Sequence, residues 1–399
     1  MMNIYQQVEE YYAPLEVFKK SGEDNEVLRE KLMLDSELGF LCGLIKQYRP
    51  KKMVEVGVAA GGSTAVILSC INQLGLNTEV FSVDLAEAIG AHGKVAVGYL
   101  IDEVENYGID RSHHHLLLGK TVAAHMEDIG DEIDFLILDA AHSLPGELMD
   151  FLAVFPYLKK DAVVVMHDVA VHFVNKQRFD YATSILFHSV TADKFLNNAV
   201  EYPDIAAFRL NEDTEKYIMD VCAGLLMPWG YMPAKENLAE YEAVFSKHYS
   251  KEFLRLYTQA KNCNREKVLP FVKKSFCVDI KDMVLKNRKI FIYGTRSLGR
   301  RCLNYLREQK IGVEGFVVSD GRKKVDSIDG TPVFELSQIA KQENVLVLLA
   351  NNHKETEENI KQIGCDWMKP EKRFIKEFGD FIVCWDDEWS DYTKTEETM

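Results

Sequence analysis

The sequence has no run of about 18 apolar residues, so no membrane-spanning helix is expected. It also lacks a surplus of Lys and Arg. The formal net charge is −15, which argues against a sequence-independent grip on nucleic-acid phosphates. Eight cysteines are scattered at 42, 70, 222, 263, 277, 302, 365 and 384, and none forms a CxxC pair, which removes the usual zinc cage. Cys70 and Cys302 fall in apolar helical patterns, where reduced thiols are commonly buried. The chain therefore reads as cytoplasmic. The N-terminus, Met1-Met-Asn-Ile-Tyr-Gln-Gln-Val-Glu-Glu10, carries acid where a signal peptide needs a basic flank and an apolar core. Short-period repeats and low-complexity tracts are missing as well.

What is present is enough for more than one core. The 399 residues predict two or three domains, and 47% hydrophobic with 27% charged residues fits a soluble globular chain. Residues 1–50 read as an N-terminal helical segment, with Leu28, Leu32, Leu38, Leu41, Leu44 and Ile45 at helical steps over 24–48. Residues 51–212 alternate. Strands are expected at 53–59, 79–85, 115–118, 134–139, 162–166 and 205–210, and helices at 64–74, 91–107, 122–129, 146–158 and 181–191. Nearly continuous apolar strands such as Phe135-Leu-Ile-Leu138 are buried on both faces, which predicts a doubly wound, mainly parallel sheet covered by helices. Residues 213–285 turn helical, a linker or cap with one long helix over 234–260, and offer a contact surface for a homo-oligomer. Over 286–399 the βα rhythm restarts as a second, smaller α/β domain, ending in an acidic tail from Trp385.

The first strand ends in Glu55-Val-Gly57-Val-Ala-Ala-Gly61-Gly62-Ser63. In a doubly wound sheet, ligands bind beyond the carboxyl ends of the strands. Gly57 and Gly61 let backbone turn and approach a ligand, and Ser63 is placed to cap the next helix. Asp84 closes the second strand, where a carboxylate can accept both hydroxyls of a ribose. The loop is not a strict GxGxxG. Glu55 would repel a pyrophosphate and suits the ammonium of an amino-acid cofactor. Gly119-Lys120-Thr121 is not a P-loop, because His114 stands where that motif needs glycine.

Glu-x-Gly-x-x-x-Gly-x-Ser followed by Val83-Asp84-Leu85 resembles class I S-adenosylmethionine-dependent methyltransferases, in particular the catechol and macrolide-sugar O-methyltransferase group. The segments Asp134–Asp139-Ala-Ala-His142 and Leu158 to His167-Asp168 extend the resemblance over about residues 30–210. It implies S-adenosylmethionine contacts by Glu55, Gly57, Gly61, Ser63, Asp84 and Leu85, by Asp139 near the methionyl end, and by Thr121 in the turn near the adenine. His142, three residues past Asp139, suits a base at neutral pH, the role the resemblance gives it. Asp139 and Asp168 end adjacent strands and could share a divalent metal, magnesium or manganese, that lowers the pKa of an acceptor oxygen. His167 departs from the usual acid–acid or acid–amide pair. It leaves open magnesium with His167 turned away, a manganese, iron or zinc ion with His167 as ligand, or no metal.

Three further motifs carry alternatives. His113-His114-His115 looks metal-like, but adjacent strand residues point to opposite faces. The aromatic loop Met227-Pro-Trp229-Gly-Tyr231-Met is either an acceptor cover or a buried helix break. Gly294-Thr-Arg296-Ser-Leu-Gly299 follows a strand, but Arg296 stands where a dinucleotide site needs glycine. Residues 286–350 resemble Rossmann-like domains attached to sugar-modifying transferases, some of which bind nucleotide sugars while others only support assembly. The expected function is O-methylation of a small-molecule acceptor, a sugar or polyketide-like hydroxyl. The alternative is a non-catalytic sugar-nucleotide-binding or assembly scaffold that retains the fold.

Overall fold

The computed structural model describes residues 5–20, 33–89, 95–170, 181–197, 203–269, 289–295, 297–308, 310–340, 342–350, 360, 366–368, 377–378 and 381–382. The chain divides into two compact units, Met1–Leu269 and Pro270–Met399.

In the first unit the main strands are β1 (Lys52–Val56), β2 (Glu79–Asp84), β5 (His114–Leu118), β6 (Ile133–Leu138), β7 (Leu158–Met166), β8 (Asp193–Leu196) and β9 (Ala206–Arg209). A separate short hairpin pairs β3 (Ala88–Ile89) with β4 (Val95–Ala96). The sheet order is β5-β2-β1-β6-β7-β9-β8. The first five strands of that order are parallel. β9 runs antiparallel to β7, and β8 antiparallel to β9. After β1 the chain winds out through β2 to β5, then returns to the other side of β1 as β6. That reversal opens a crevice at the carboxyl ends of β1 and β6. Phe135, Leu136, Ile137 and Leu138 are all buried, as a strand covered on both faces requires.

The helices of this unit are α1 (Ala13–Lys20), α2 (Asp35–Tyr48), α3 (Gly62–Gln73), α4 (Val122–Ile129), α5 (Gly146–Val154), α6 (Ala182–Ser189), α7 (Ile218–Gly224), α8 (Lys235–His248) and α9 (Lys251–Cys263). Several depart from the sequence reading. The expected helix over 24–48 is described only from Asp35, with residues 24–32 outside the described set. Of the helix expected over 91–107, residues 91–94 lie outside the described set. Val95 and Ala96 form β4, and only Tyr99–Tyr107 is helical, as a 3-10 turn series between two left-handed glycines, Gly98 and Gly108. The long helix over 234–260 is in fact two. Tyr249 is extended and Ser250 caps α9, its hydroxyl accepting Phe253 N at 3.2 Å. The segment α7–α9 packs within the first unit, α8 against α4 and α5. Phe253 ties this segment together, its ring centroid 5.2 Å from Phe245 and 4.2 Å from Tyr249.

The second unit is also α/β. Its strands are β10 (Lys289–Tyr293), β11 (Gly315–Val318), β12 (Ser327–Ile328), β13 (Thr331–Glu335), β14 (Val345–Leu349) and β15 (Asp366–Met368), ordered β12-β13-β11-β10-β14-β15. All pairs are parallel except β12 with β13. Strand residues alternate between two apolar layers. Ile290, Ile292 and Phe316 pack with Cys302, Leu303 and Leu306, while Phe291, Tyr293 and Val317 pack with Leu336 and Ile339. Arg296, most of the segment 261–286 read as linker, and the acidic tail lie outside the described residues.

Candidate active site

The register of the sheet brings four loops to one edge. Val56 pairs with Val83 and with Leu138, and Leu138 pairs with Met166. The residues that follow, Gly57, Asp84, Asp139 and His167, therefore leave the sheet side by side. The crossing is stitched by Gly57 N to Val83 O, Asp139 N to Val56 O and His167 N to Leu138 O, at 2.9, 2.9 and 3.1 Å. Gly57 has φ +96°, and a Cβ there would stand 1.8 Å from the Asp139 carbonyl oxygen, so only glycine fits.

The glycine loop is held from below and from one side. Glu55 is 1% exposed, and its carboxylate accepts the hydroxyls of Ser63, Thr64 and Ser82 at 2.7, 2.6 and 2.7 Å. Burial raises its pKa against the pull of those three hydrogen bonds. A side chain closed off by protein alone offers no surface to an ammonium group. Glu55 therefore anchors the loop from beneath. Ser63 is not the helix cap. Gly61, left-handed at φ 90°, takes that position, because the Ser63 hydroxyl is committed to Glu55. Asp84 accepts Val58 N and Ala59 N at 2.9 and 3.0 Å through one oxygen, and Ala86 N at 2.8 Å through the other. It remains partly exposed beside Leu85, which is 52% exposed. Thr121 donates through both its amide and its hydroxyl to Glu240 on α8, at 3.1 and 2.8 Å.

The neighbouring loops form an acid-rich face around two imidazoles. One ligand atom from each of Asp139, His142 and Asp168 lies within 4.8 Å of the others. His142 Nδ1 is 2.9 Å from Asp168 Oδ2 and 3.8 Å from Glu147 Oε1. Burial disfavours the imidazolium, yet Asp168, Glu147 and Asp139 outweigh it and raise the His142 pKa to about 10. The same balance raises His167 well above its ordinary value. Burial also opposes the charge on Asp168, but His142 and His167 hold that carboxyl well below the usual range. His167 does not turn away. Its Nδ1 is 3.3 Å from Asp139 Oδ1 and 3.4 Å from Asp168 Oδ2. His142 Nδ1, His167 Nδ1 and Glu147 Oε2 are buried without an aligned hydrogen-bond partner.

Sequence reasoning missed three acids here. Glu37 on α2 faces His167 Nε2 at 3.3 Å. Glu147 on α5 accepts the His142 amide and is fully buried. Asp204 accepts Ala170 N at 2.8 Å, and burial pushes its pKa up to about 6. The signals were present. Glu37 shares the helical stripe of Phe40, Leu41 and Leu44, and Glu147 and Asp150 interrupt an otherwise apolar helix.

The other motifs resolve into structure. His113 and His115 both meet Glu79, at 2.6 and 2.9 Å, while His114 points to the opposite face and Ser82. Trp229 is fully buried, its indole N–H donating to Leu225 O at 2.8 Å and its amide to Asn264 Oδ1 at 2.8 Å. That loop is a helix break with Trp229 and Met232 buried and Met227 48% exposed. In the second unit a Cβ on Gly299 would stand 1.9 Å from Gly294 O, so this glycine serves close helix–strand packing.

Residues 54–169 match the family model described as "Methyltransferase domain". A second model, "C2185-like, N-terminal", matches residues 286–371. No curated protein sequence matches the chain. Among solved structures, a putative O-methyltransferase from Klebsiella pneumoniae is 16% identical, covering 50% of this chain and 96% of its own, with a TM-score of 0.36. The O-methyltransferase from Bacillus cereus, solved in complex with SAH, is 17% identical over 49% of this chain and 90% of its own, TM-score 0.34. TomG from Streptomyces achromogenes, involved in tomaymycin synthesis and solved with SAM, is 14% identical over 50% of this chain and 97% of its own, TM-score 0.35. Residues 54–169 of the first unit thus match a methyltransferase domain.

Proposed function

We propose that the chain transfers the methyl group of S-adenosylmethionine to a hydroxyl oxygen of a small molecule, a sugar or polyketide-like acceptor, beside a divalent cation. The observation that carries this reading is the convergence of Asp139, His142 and Asp168 at the sheet edge that also holds the glycine loop. The cofactor supplies an electrophilic methyl on its sulfonium. The chain must hold the acceptor oxygen in line with it and accept the oxygen's proton. The partly exposed Asp84 and the exposed Leu85 stand where a ribose and an adenine would lie, one past the other at the end of β2.

The residues present fit a cation. Two carboxylates and an imidazole converge, and two buried imidazole nitrogens have no aligned partner. Asp139 and Asp168 would hold the ion, which would supply Lewis acidity toward an acceptor oxygen. The imidazoles favour manganese, iron or zinc over magnesium. Without a cation, His142 carries a proton at neutral pH and cannot act as a base. Neutralising Asp168 and Asp139 removes the charges that hold that proton, and the imidazole becomes an acceptor. His142 is thus the base only in the cation-loaded chain.

The test is methyl transfer from labelled S-adenosylmethionine to a panel of sugar and polyketide hydroxyls, in chelator and after adding back Mn²⁺. The expected result is transfer that chelator abolishes, Mn²⁺ restores and Asp168→Ala eliminates. Full activity of Asp168→Ala in chelator would sink the metal part.

A further inference from the structure

The acid that departs most from ordinary placement is Glu37. It lies on α2, before the region matched by the methyltransferase model, on a helix whose other inward residues are apolar. It is 4% exposed, and a carboxylate so buried needs a partner. Its Oε2 has two, the Leu34 amide at 2.5 Å and His167 Nε2 at 3.3 Å. The first is an ordinary contact at a helix start. The second reaches a residue 130 positions away in sequence, whose other ring nitrogen faces Asp139 and Asp168.

We infer that Glu37 is a positioning residue for the cation site, holding the His167 ring with Nε2 toward Glu37 and Nδ1 toward Asp139 and Asp168. This rests on the proposed cation between those carboxylates. Carboxylates face both ring nitrogens, Glu37 at one end and Asp139 with Asp168 at the other, so the ring orientation is set by acids on either side. Nδ1 is buried without an aligned partner. Carboxylate–imidazole pairs of this kind orient a metal ligand and raise its basicity.

Glu37→Gln separates this role from a merely structural one. The amide keeps the shape and an oxygen for the Leu34 amide, so α2 keeps its cap. The same oxygen position faces His167 Nε2, so the substitution removes the negative charge that orients and polarises the imidazole while leaving the cap in place. Mn²⁺ would be titrated into the full-length wild-type, Glu37→Gln and Asp139→Asn chains by electron paramagnetic resonance, with Tm measured in chelator. The wild type is expected to take up Mn²⁺, and Asp139→Asn to lose it. Glu37→Gln should bind about 10–100-fold more weakly, with its chelator Tm unchanged. Glu37→Gln binding within twofold of wild type, while Asp139→Asn fails to bind, overturns this inference alone. No Mn²⁺ uptake by the wild type overturns the cation reading together with it.

Discussion

Gly57→Ala gives the most severe local test of the sheet edge. The residue has φ +96°, a conformation that costs an alanine about 1–3 kcal/mol. The new Cβ would also meet the Asp139 carbonyl oxygen at 1.8 Å and its carbon at 2.5 Å. Neither is the end of a flexible side chain, so the strand edge must part. Parting breaks the Asp139 N to Val56 O bond of 2.9 Å, worth about 1–3 kcal/mol when the groups stay buried. The sum is about 2–6 kcal/mol. At roughly 2–4 °C per kcal/mol for a unit of this size, Tm should fall by about 10 °C. Because Gly57 opens the loop proposed to hold the cofactor, S-adenosylhomocysteine affinity should fall at least about tenfold. Gly75→Ala is the control. Gly75 is also left-handed, at φ +59°, but has nothing within 4 Å of a Cβ, so it should cost only about 1 kcal/mol. The assay is calorimetric unfolding and ligand titration of both variants. Indistinguishable Tm values for the two would refute the close crossing of β1 and β6.

Three other outcomes follow from buried polar groups. Burial pushes the Asp150 pKa up to about 7 from 3.8, although the Tyr241 hydroxyl donates to it at 2.5 Å. The folded chain thus favours the neutral acid, and stability is lost as pH rises from the unfolded value toward 7. Asp150→Asn removes that dependence, so its stability relative to wild type should rise by about 2–3 kcal/mol between pH 5 and pH 8. Parallel unfolding curves at the two pH values would contradict it. Glu55→Ala strands three hydroxyls under the glycine loop and should destabilise by about 3 kcal/mol or more, with loss of cofactor binding, whereas Glu55→Gln should retain measurable binding. Asn264→Ala leaves the buried Trp229 amide without its acceptor and should cost about 1–3 kcal/mol in urea unfolding, with cofactor affinity unchanged.

The fold was legible where hydrophobic runs were long. Phe135–Leu138 and Ala162–Met166 declared a parallel sheet, and the glycine loop marked the edge where ligands bind. Boundaries set by single turns were less visible. The break at Tyr249 and Ser250 lies inside a continuous helical pattern, and only the cap reveals it. The reacting face was read in part. Asp139, His142, His167 and Asp168 stand at predictable strand ends, so their meeting follows from register. Glu55 and Asp84 both hold the glycine loop, a use that sequence spacing alone did not reveal. Glu37 and Asp204 reach the site from distant elements; an acid in an apolar stripe signals burial, but not which distant residue it meets. The charge state of His142 was hidden for the same reason. Its ordinary value fits a base, whereas the surrounding acids raise it to about 10 in the cation-free chain.

The central claim is that the loop from Gly57 to Ser63, with Asp84 beside it, binds S-adenosylmethionine independently of the acid-rich face. The most direct measurement is calorimetric titration of S-adenosylhomocysteine into the full-length wild-type, Asp84→Ala and Asp168→Ala chains. The account predicts one site per chain, lost in Asp84→Ala and kept in Asp168→Ala. No heat with the wild type, or equal binding by Asp84→Ala, would contradict it.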